Sequence, residues 1–417
     1  MTATIPGEGS ISLARSLRQL ESRNVTYVCD AMPIFWQSAQ GATVTDVDGN
    51  TYTDLTAAFG VANAGHGNAA VARAISQQAR TLQHAMGDVH PANVKVQLLE
   101  ALHKIAPPAL NKTLLGTTGA DAVEAALKTA MLSTGKTAFA AFRGGYHGLS
   151  LGALQVTAME RFRAPFVQAV PSRTEWLEYP RNDVAGALER TRMQLRARRD
   201  FAAVIVEPLQ GRAGCIVPVR GFLPGLREIC AESGLLLIFD ELYTGFGRTG
   251  TIFALEDENV EPDILCAGKA MGNGLPISAT IARAEIMDAW PPSDGEALHT
   301  STHLGNPIAC AAAIAAIAEM ERLQLPARAK QLQGAVQQAL RPLVEKGKAL
   351  DVRGRGLMWG IELRDGDAAR TAVERALREG VLLLQAGERG NVLSITPPLT
   401  IGYDELNDAL TTVVALL

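Results

Sequence analysis

The sequence predicts an α/β fold with a large, mostly parallel sheet and a second, smaller α/β unit toward its C-terminal end. Three observations predict it. Short, continuous apolar runs, FAAVIVE (201–207), LLLIFD (235–240) and DILCAG (263–268), are bounded by Pro, Gly and charged residues, as strands buried on both faces are. The 33 residues from Glu207 to Asp240 hold the plausible helix GFLPGLREICAES, closed by Gly234, which suits a strand–helix–strand unit. Past residue 311 the composition turns to Arg, Gln and Lys, and new strand-like runs follow, LMWGIEL (357–363), VLLLQA (381–386) and VLSIT (392–396).

Other elements follow in chain order. GATVTDVDGNTYTDL (41–55) alternates apolar and polar residues around Asp48-Gly49-Asn50 and predicts a hairpin. A helix is expected from about residue 68 (AAVARAISQQARTL). A second, NVKVQLLEALHKI, is stopped by Pro107-Pro108. A strand-like end at LLG leads into a helix from Gly119. Val123, Leu127 and Met131 share one face of it, and Thr118 and Asp121 have capping-box spacing. Asn306 and Pro307 suit the N-cap and first residue of another helix.

With 47% hydrophobic and 20% charged residues in 417, the chain reads as globular and long enough for two domains. A net charge of −4 gives no reason to expect nucleic acid or an acidic membrane as partner, and the basic run at 190–199 reads as the solvated face of a helix. No run reads as a membrane span, and MTATIPGEGS lacks the layout of a secretory signal. Five scattered cysteines without CxxC spacing suit reduced thiols. The expected setting is the cytoplasm.

The candidate chemistry lies at the carboxyl ends of the apolar runs, where open α/β sheets bind ligands. Glu207, Asp240 and Lys269 fall there. Two readings of the last pair stay open: a buried Asp240–Lys269 ion pair, or two groups facing a common ligand. The small residues Gly268, Ala270, Gly272 and Gly274 around Lys269 favour the second, because they leave space for something large. The amides of Gly119 and Ala120, after Thr118, open a helix and form an anion cradle. Tyr146 and His147 stand between glycines in FRGGYHGLS, where an aromatic can lie flat on a planar ligand. His299 and His303 have i, i+4 spacing, yet HTSTHLGN reads as loop and no third ligand has matching spacing, so no metal is expected. A phosphate cradle, an aromatic, a carboxylate for a ring nitrogen and a lysine for an imine are the parts of a pyridoxal phosphate site.

The ordered motifs VEPLQGRAG, LIFDELYTGFGRTG, AGKAMGNGLP and THLGNP resemble the class III (omega) pyridoxal-phosphate aminotransferases, among them the GABA, ornithine and acetylornithine enzymes. The resemblance runs from VTDVDGNTYTDL to ITPPLTI. It implies a fold-type-I homodimer with active sites at the subunit interface. It also implies an N-terminal segment (1–67) that contributes to the small domain and the site entrance, a large cofactor-binding domain (68–311) and a C-terminal small domain (312–417). By the resemblance Lys269 is the covalent anchor and proton carrier, with a pKa lowered by burial, and Asp240 pairs with the pyridine nitrogen. Thr118, Gly119 and Ala120 hold the phosphate, which Thr302 of the partner subunit also reaches. Tyr146 and Leu242 flank the ring, and His147 and Glu207 join the surrounding network. The implied reaction moves an amino group from an amine or omega-amino compound to a keto acid or aldehyde by a ping-pong route.

Departures from the family bear on the substrate. The arginine after the aromatic-x-Gly turn is Leu149, a second arginine before PPL is Ser394, and the glutamate that gates it is Arg212. Arg212 or Arg389 is therefore the candidate partner for a substrate carboxylate, and Trp36, Phe59, Val61 and Leu149 are candidate pocket walls. Three further readings remain at this point. They are an aminomutase of the glutamate-1-semialdehyde type or a decarboxylase on the same fold, a non-catalytic binding protein, and, remotely, a metal hydrolase.

Overall fold

The structure, a computed structural model, describes residues 5–27, 29, 31–170 and 173–417. Residues 1–4, on which part of the reading of the N-terminus rests, lie outside them.

The predicted hairpin is present. Strands β1 (Trp36–Gln40), β2 (Thr43–Asp46) and β3 (Thr51–Asp54) form an antiparallel meander, with Thr45 opposite Thr51. The Asp46 carboxylate closes the turn by accepting from the Asp48 and Asn50 amides and from the Tyr52 hydroxyl. After β3 the chain takes an unusual turn: Ala57, Ala58, Phe59 and Gly60 have φ of 46°, 49°, 64° and 74°. A left-handed turn costs about 1–2 kcal/mol per non-glycine residue. It is held by the Gly60 N–H donating to Thr56 O (3.0 Å) and the Val61 N–H to Ala57 O (2.8 Å), with Thr56 tied to Asp54. Phe59 is left half exposed.

The central sheet has seven strands: β4 (Lys112–Gly116), β5 (Ala138–Phe142), β6 (Thr174–Leu177), β7 (Phe201–Val206), β8 (Leu236–Asp240), β9 (Ile264–Ala267) and β10 (Ser278–Ala282). Their order is β4-β10-β9-β8-β7-β5-β6, and β10 alone runs against its neighbours. The apolar runs are continuous because both faces are covered. Leu237, Phe239, Leu265 and Ala267 enter one core, while Ile238, Ile264 and Cys266 enter the other. The expected helices Gly119–Thr134 and Phe222–Ser233, the second ending at Gly234 (φ 63°), flank the sheet, and Pro307–Arg322, capped by Asn306, packs on the helices Ala69–Thr81 and Asn93–Ile105. In the basic run, Arg190, Arg192 and Arg196 are paired with Asp183, Glu189 and Glu232.

A third sheet, in the order β11-β12-β15-β14, joins β11 (Asp351–Arg355), β12 (Met358–Glu362), β14 (Leu384–Ala386) and β15 (Val392–Ile395). Here the structure differs from the sequence reading. The run at 381–386 is two strands, not one: β13 (Val381–Leu382) runs parallel to β3 in the N-terminal sheet, and β14 turns into the C-terminal sheet. Both sheets bury apolar side chains, so the run carries no sign of the switch. Arg248, fully buried, joins three segments by donating to Leu357 O, Pro397 O and the Asn63 side chain. Among the described residues no helix is long and apolar enough to cross a membrane.

Candidate active site

Strands β7, β8 and β9 are parallel neighbours, so their carboxyl ends bring Glu207, Asp240 and Lys269 together. The two open readings of Asp240 and Lys269 separate here. Asp240 is buried, and its Oδ2 lies 2.7 Å from Nδ1 of the equally buried His147, while its Oδ1 accepts from the Leu242 N–H at 3.1 Å. Among the described residues Lys269 has no ion-pair partner; its Nζ lies 4.9 Å from the centroid of the Tyr243 ring. Burial lowers the lysine pKa, the charges of Asp240 and Glu207 only partly oppose this, and the charge of Arg212 adds to it. Lys269 also has φ 46°, a strained value of the kind that concentrates at functional sites.

His147 meets Asp240 through the Nδ1–Oδ2 contact. Its burial disfavours the cation. The hydrogen bond and charge of Asp240, with the charge of Glu207, outweigh that and raise its pKa. His147 thus holds the Asp240 carboxylate in one orientation. Glu207 is fixed by the Tyr146 and Gly211 amides, each at 2.9 Å, and burial pushes its carboxyl up to about 7.

The helix start forms as its spacing predicts. The Asp121 carboxylate accepts from the Thr117 and Thr118 amides, and the Asp121 amide donates to Thr118 Oγ1 at 3.1 Å. Gly119 and Ala120 begin the helix, where amides have no acceptor within it. Leu242 links this start to Asp240. A Cβ on Gly119 would lie 2.9 Å from Leu242 Cδ1, and one on Gly268 2.6 Å from Leu242 Cδ2. Gly268 therefore makes room for protein rather than for a ligand, a correction to the reading of that run.

Tyr243, which the sequence reading passed over, packs where Gly60 and Gly211 have no side chain. Its hydroxyl lies 3.2 Å from Thr396 Oγ1 and is also influenced by Ser394 and Cys215. It occupies the neighbourhood of Ser394, which is buried on β15 with its Oγ 3.8 Å from Cys215 Sγ. Arg212 lies over the Tyr146 ring, with its guanidinium carbon 5.6 Å from the centroid, and its buried Nε has no partner among the described residues. Arg389 is exposed and lines a cleft with Arg143, Glu178 and Arg181 whose lining includes neither Lys269 nor Tyr146.

Among the pocket candidates, Leu149 is exposed, Val61 is half-buried, and exposed Trp36 stands edge-on to His66 at 5.7 Å. Thr302 is exposed in the loop after Thr300, whose hydroxyl donates to Asp88. His299 and His303 diverge, the first toward Lys128 and Trp290, the second toward His84. Among the described residues no cluster of three His, Cys, Asp or Glu side chains could hold a metal.

The aminotransferase class-III family model matches residues 26–417. The chain belongs to the class III aminotransferase family. This aminotransferase is 42% identical over 379 residues to the acetylornithine aminotransferase of Methanopyrus kandleri, covering 91% of this chain and 92% of the relative. It is 35% identical to that of Methanosarcina mazei over 411 residues, covering 98% of each. Among solved structures, an amine transaminase from an uncultivated Pseudomonas species in its PLP-bound form superposes with a TM-score of 0.88 at 30% identity, covering 95% of this chain and 98% of the other. The ornithine aminotransferase of Toxoplasma gondii gives 0.86 at 30%, covering 97% and 94%. The fold is thus that of the pyridoxal-phosphate-dependent transaminases, and pyridoxal phosphate is the cofactor of this enzyme. The residues present fit it: helix-start amides for an anion, an oriented carboxylate for a cationic ring nitrogen, and a desolvated amine with no ion-pair partner among the described residues.

Proposed function

We propose that this aminotransferase moves the amino group of an omega-amino compound carrying a carboxylate to a keto acid or aldehyde, in two half-reactions at one site. The observation that carries the substrate class is Arg212, whose guanidinium lies over Tyr146 with a buried Nε that has no partner among the described residues. A guanidinium so placed is a receptor for a carboxylate. The names of the two relatives make acetylornithine the first donor to test.

Pyridoxal phosphate, when bound, supplies an electron sink for the carbon that carries the amino group. We assign this chain's residues as follows. Lys269 attaches the cofactor and, once displaced, moves a proton at the substrate carbon as a neutral amine; its lowered pKa suits a base. Asp240, held by His147, keeps the ring nitrogen protonated. Thr118, Gly119 and Ala120 hold the phosphate, with Thr302 of the partner subunit. Tyr146 and Leu242 enclose the ring, and Glu207 fixes the Tyr146 loop through its amide. Trp36, Phe59, Val61 and Leu149 line the approach, while Ser394 stands where the family carries its second arginine. We further propose a homodimer. The division at residues 67 and 311, with the N-terminal segment joined to the smaller unit, is likewise our proposal; the β3–β13 pairing supports it.

Stopped-flow mixing of the holoenzyme with single donors, without acceptor, tests the reading. Acetylornithine or another omega-amino acid should convert the cofactor to its amino form in one turnover, and a keto acid should restore it. An isomerised product formed with no acceptor present would make the enzyme a mutase instead.

A further inference from the structure

Arg212 does not stand alone beside Tyr146. Arg161, on the short helix Glu160–Arg163, places its guanidinium carbon 4.5 Å from the centroid of the Phe162 ring. Phe162 in turn meets Tyr146 edge to face, at 5.7 Å and 65°. Arg212 covers Tyr146. Two guanidiniums therefore flank one aromatic pair. Neither is in an ion pair among the described residues. Glu160, next to Arg161 in sequence, acts on Arg163. The acids that influence Tyr146 are Glu207 and Asp240, and both are already engaged, by backbone amides and by His147 and Leu242.

Like charges on either side of one aromatic pair, with no acid between them among the described residues, repel each other. Burial lowers the Arg161 pKa and the charge of Arg212 lowers it further, so the two groups do sense one another. The arrangement becomes favourable when an anion lies between them, and two planar forks can saturate all the lone pairs of one carboxylate. Each fork is backed by an aromatic ring, which supports its plane.

We propose that Arg161 is the second arm of a carboxylate clamp with Arg212, and that this clamp selects substrates whose carboxylate is remote from the reacting amino carbon. The proposal rests on the reading of Arg212 given above. The amine must reach Lys269 at the end of β9, whereas the clamp lies on the Tyr146–Phe162 side, so an aliphatic stem has to span the two. Donor and acceptor share the clamp, because both half-reactions use one site. Arg161 is exposed at the outer edge, so it acts mainly in capture, and its effect falls on KM more than on kcat.

The test uses the holoenzyme and a matched donor pair, 5-aminopentanoate and pentan-1-amine, which differ only by the carboxylate. For Arg161→Gln, the ratio of kcat/KM for the acid to that for the amine should fall about tenfold, the effect of losing one charge-assisted hydrogen-bonding arm. The change should lie mostly in KM, and the ratio should depend less on salt than in the native enzyme. Arg161→Lys should recover part of it. Arg163→Gln, on the same helix but stacked over Trp176, should leave the ratio as it is. If Arg212→Gln lowers the ratio and Arg161→Gln does not, the clamp is overturned while the reading of Arg212 stands. If neither lowers it, both fall. An equal loss on both donors in Arg161→Gln would show a merely structural role and also overturn the clamp.

Discussion

Replacing Glu207 with Gln should change how the stability of the apoprotein depends on pH. Glu207 is buried, and its carboxyl is raised from 4.5 to about 7, chiefly by desolvation, with the charge of Asp240 adding to this and His147 and the Tyr146 and Gly211 amides opposing it. A folded pKa above the unfolded one means that the group's stabilising contribution is complete below pH 4.5 and is lost as pH rises through about 7. The full shift corresponds to about 3 kcal/mol, of which about 2 kcal/mol is lost between pH 5.5 and 8. Gln can keep one of the two amide hydrogen bonds but must face the other N–H with its own NH2 group, which costs about 1–3 kcal/mol at every pH. That constant loss cancels in a difference. Urea unfolding of native and variant apoprotein at the two pH values isolates the titration: the native protein should lose about 2 kcal/mol more than the variant on going from pH 5.5 to 8. An equal loss in both proteins, or a larger loss in the variant, would refute the argument that burial dominates at Glu207.

Other perturbations follow from the same geometry. His147→Phe removes the partner of Asp240, so kcat should fall by about one to two orders of magnitude while cofactor content holds; an unchanged kcat would contradict the positioning role. Gly119→Val drives a side chain into Leu242 and should weaken cofactor binding, measured by dialysis against free pyridoxal phosphate; native affinity would show that the helix start tolerates it. Arg248→Met leaves Leu357 O, Pro397 O and the Asn63 side chain without their buried donor. Unfolding free energy should drop by about 3–5 kcal/mol, and a drop below about 1 kcal/mol would contradict the joining role.

The sheet that positions the site was legible because its strands are buried on both faces, which leaves continuous apolar runs at 201–207, 235–240 and 263–268. The helix start at Gly119 was legible because capping is local: Thr118 and Asp121 are three residues apart. Non-local contacts were not legible. Asp240 and His147 are 93 positions apart, and nothing in either motif says that they meet. Tyr243 reaches Thr396 across 153 positions. The left-handed turn at Ala57–Gly60 was hidden for a different reason, since alanine disfavours that conformation and only the packing around Thr56 and Asp54 imposes it. The glycines near Lys269 misled for a related cause. A missing Cβ marks a close approach but not what approaches, and at Gly268 it is Leu242.

The central claim is that Lys269, beside an Asp240 held by His147, is the covalent seat of pyridoxal phosphate. The most direct measurement is borohydride reduction of the holoenzyme, followed by proteolysis and mass spectrometry of the modified peptide. One pyridoxyl adduct per chain is expected, on Lys269, and none in Lys269→Ala. An adduct on another lysine, or an unmodified Lys269 in the active holoenzyme, would contradict it.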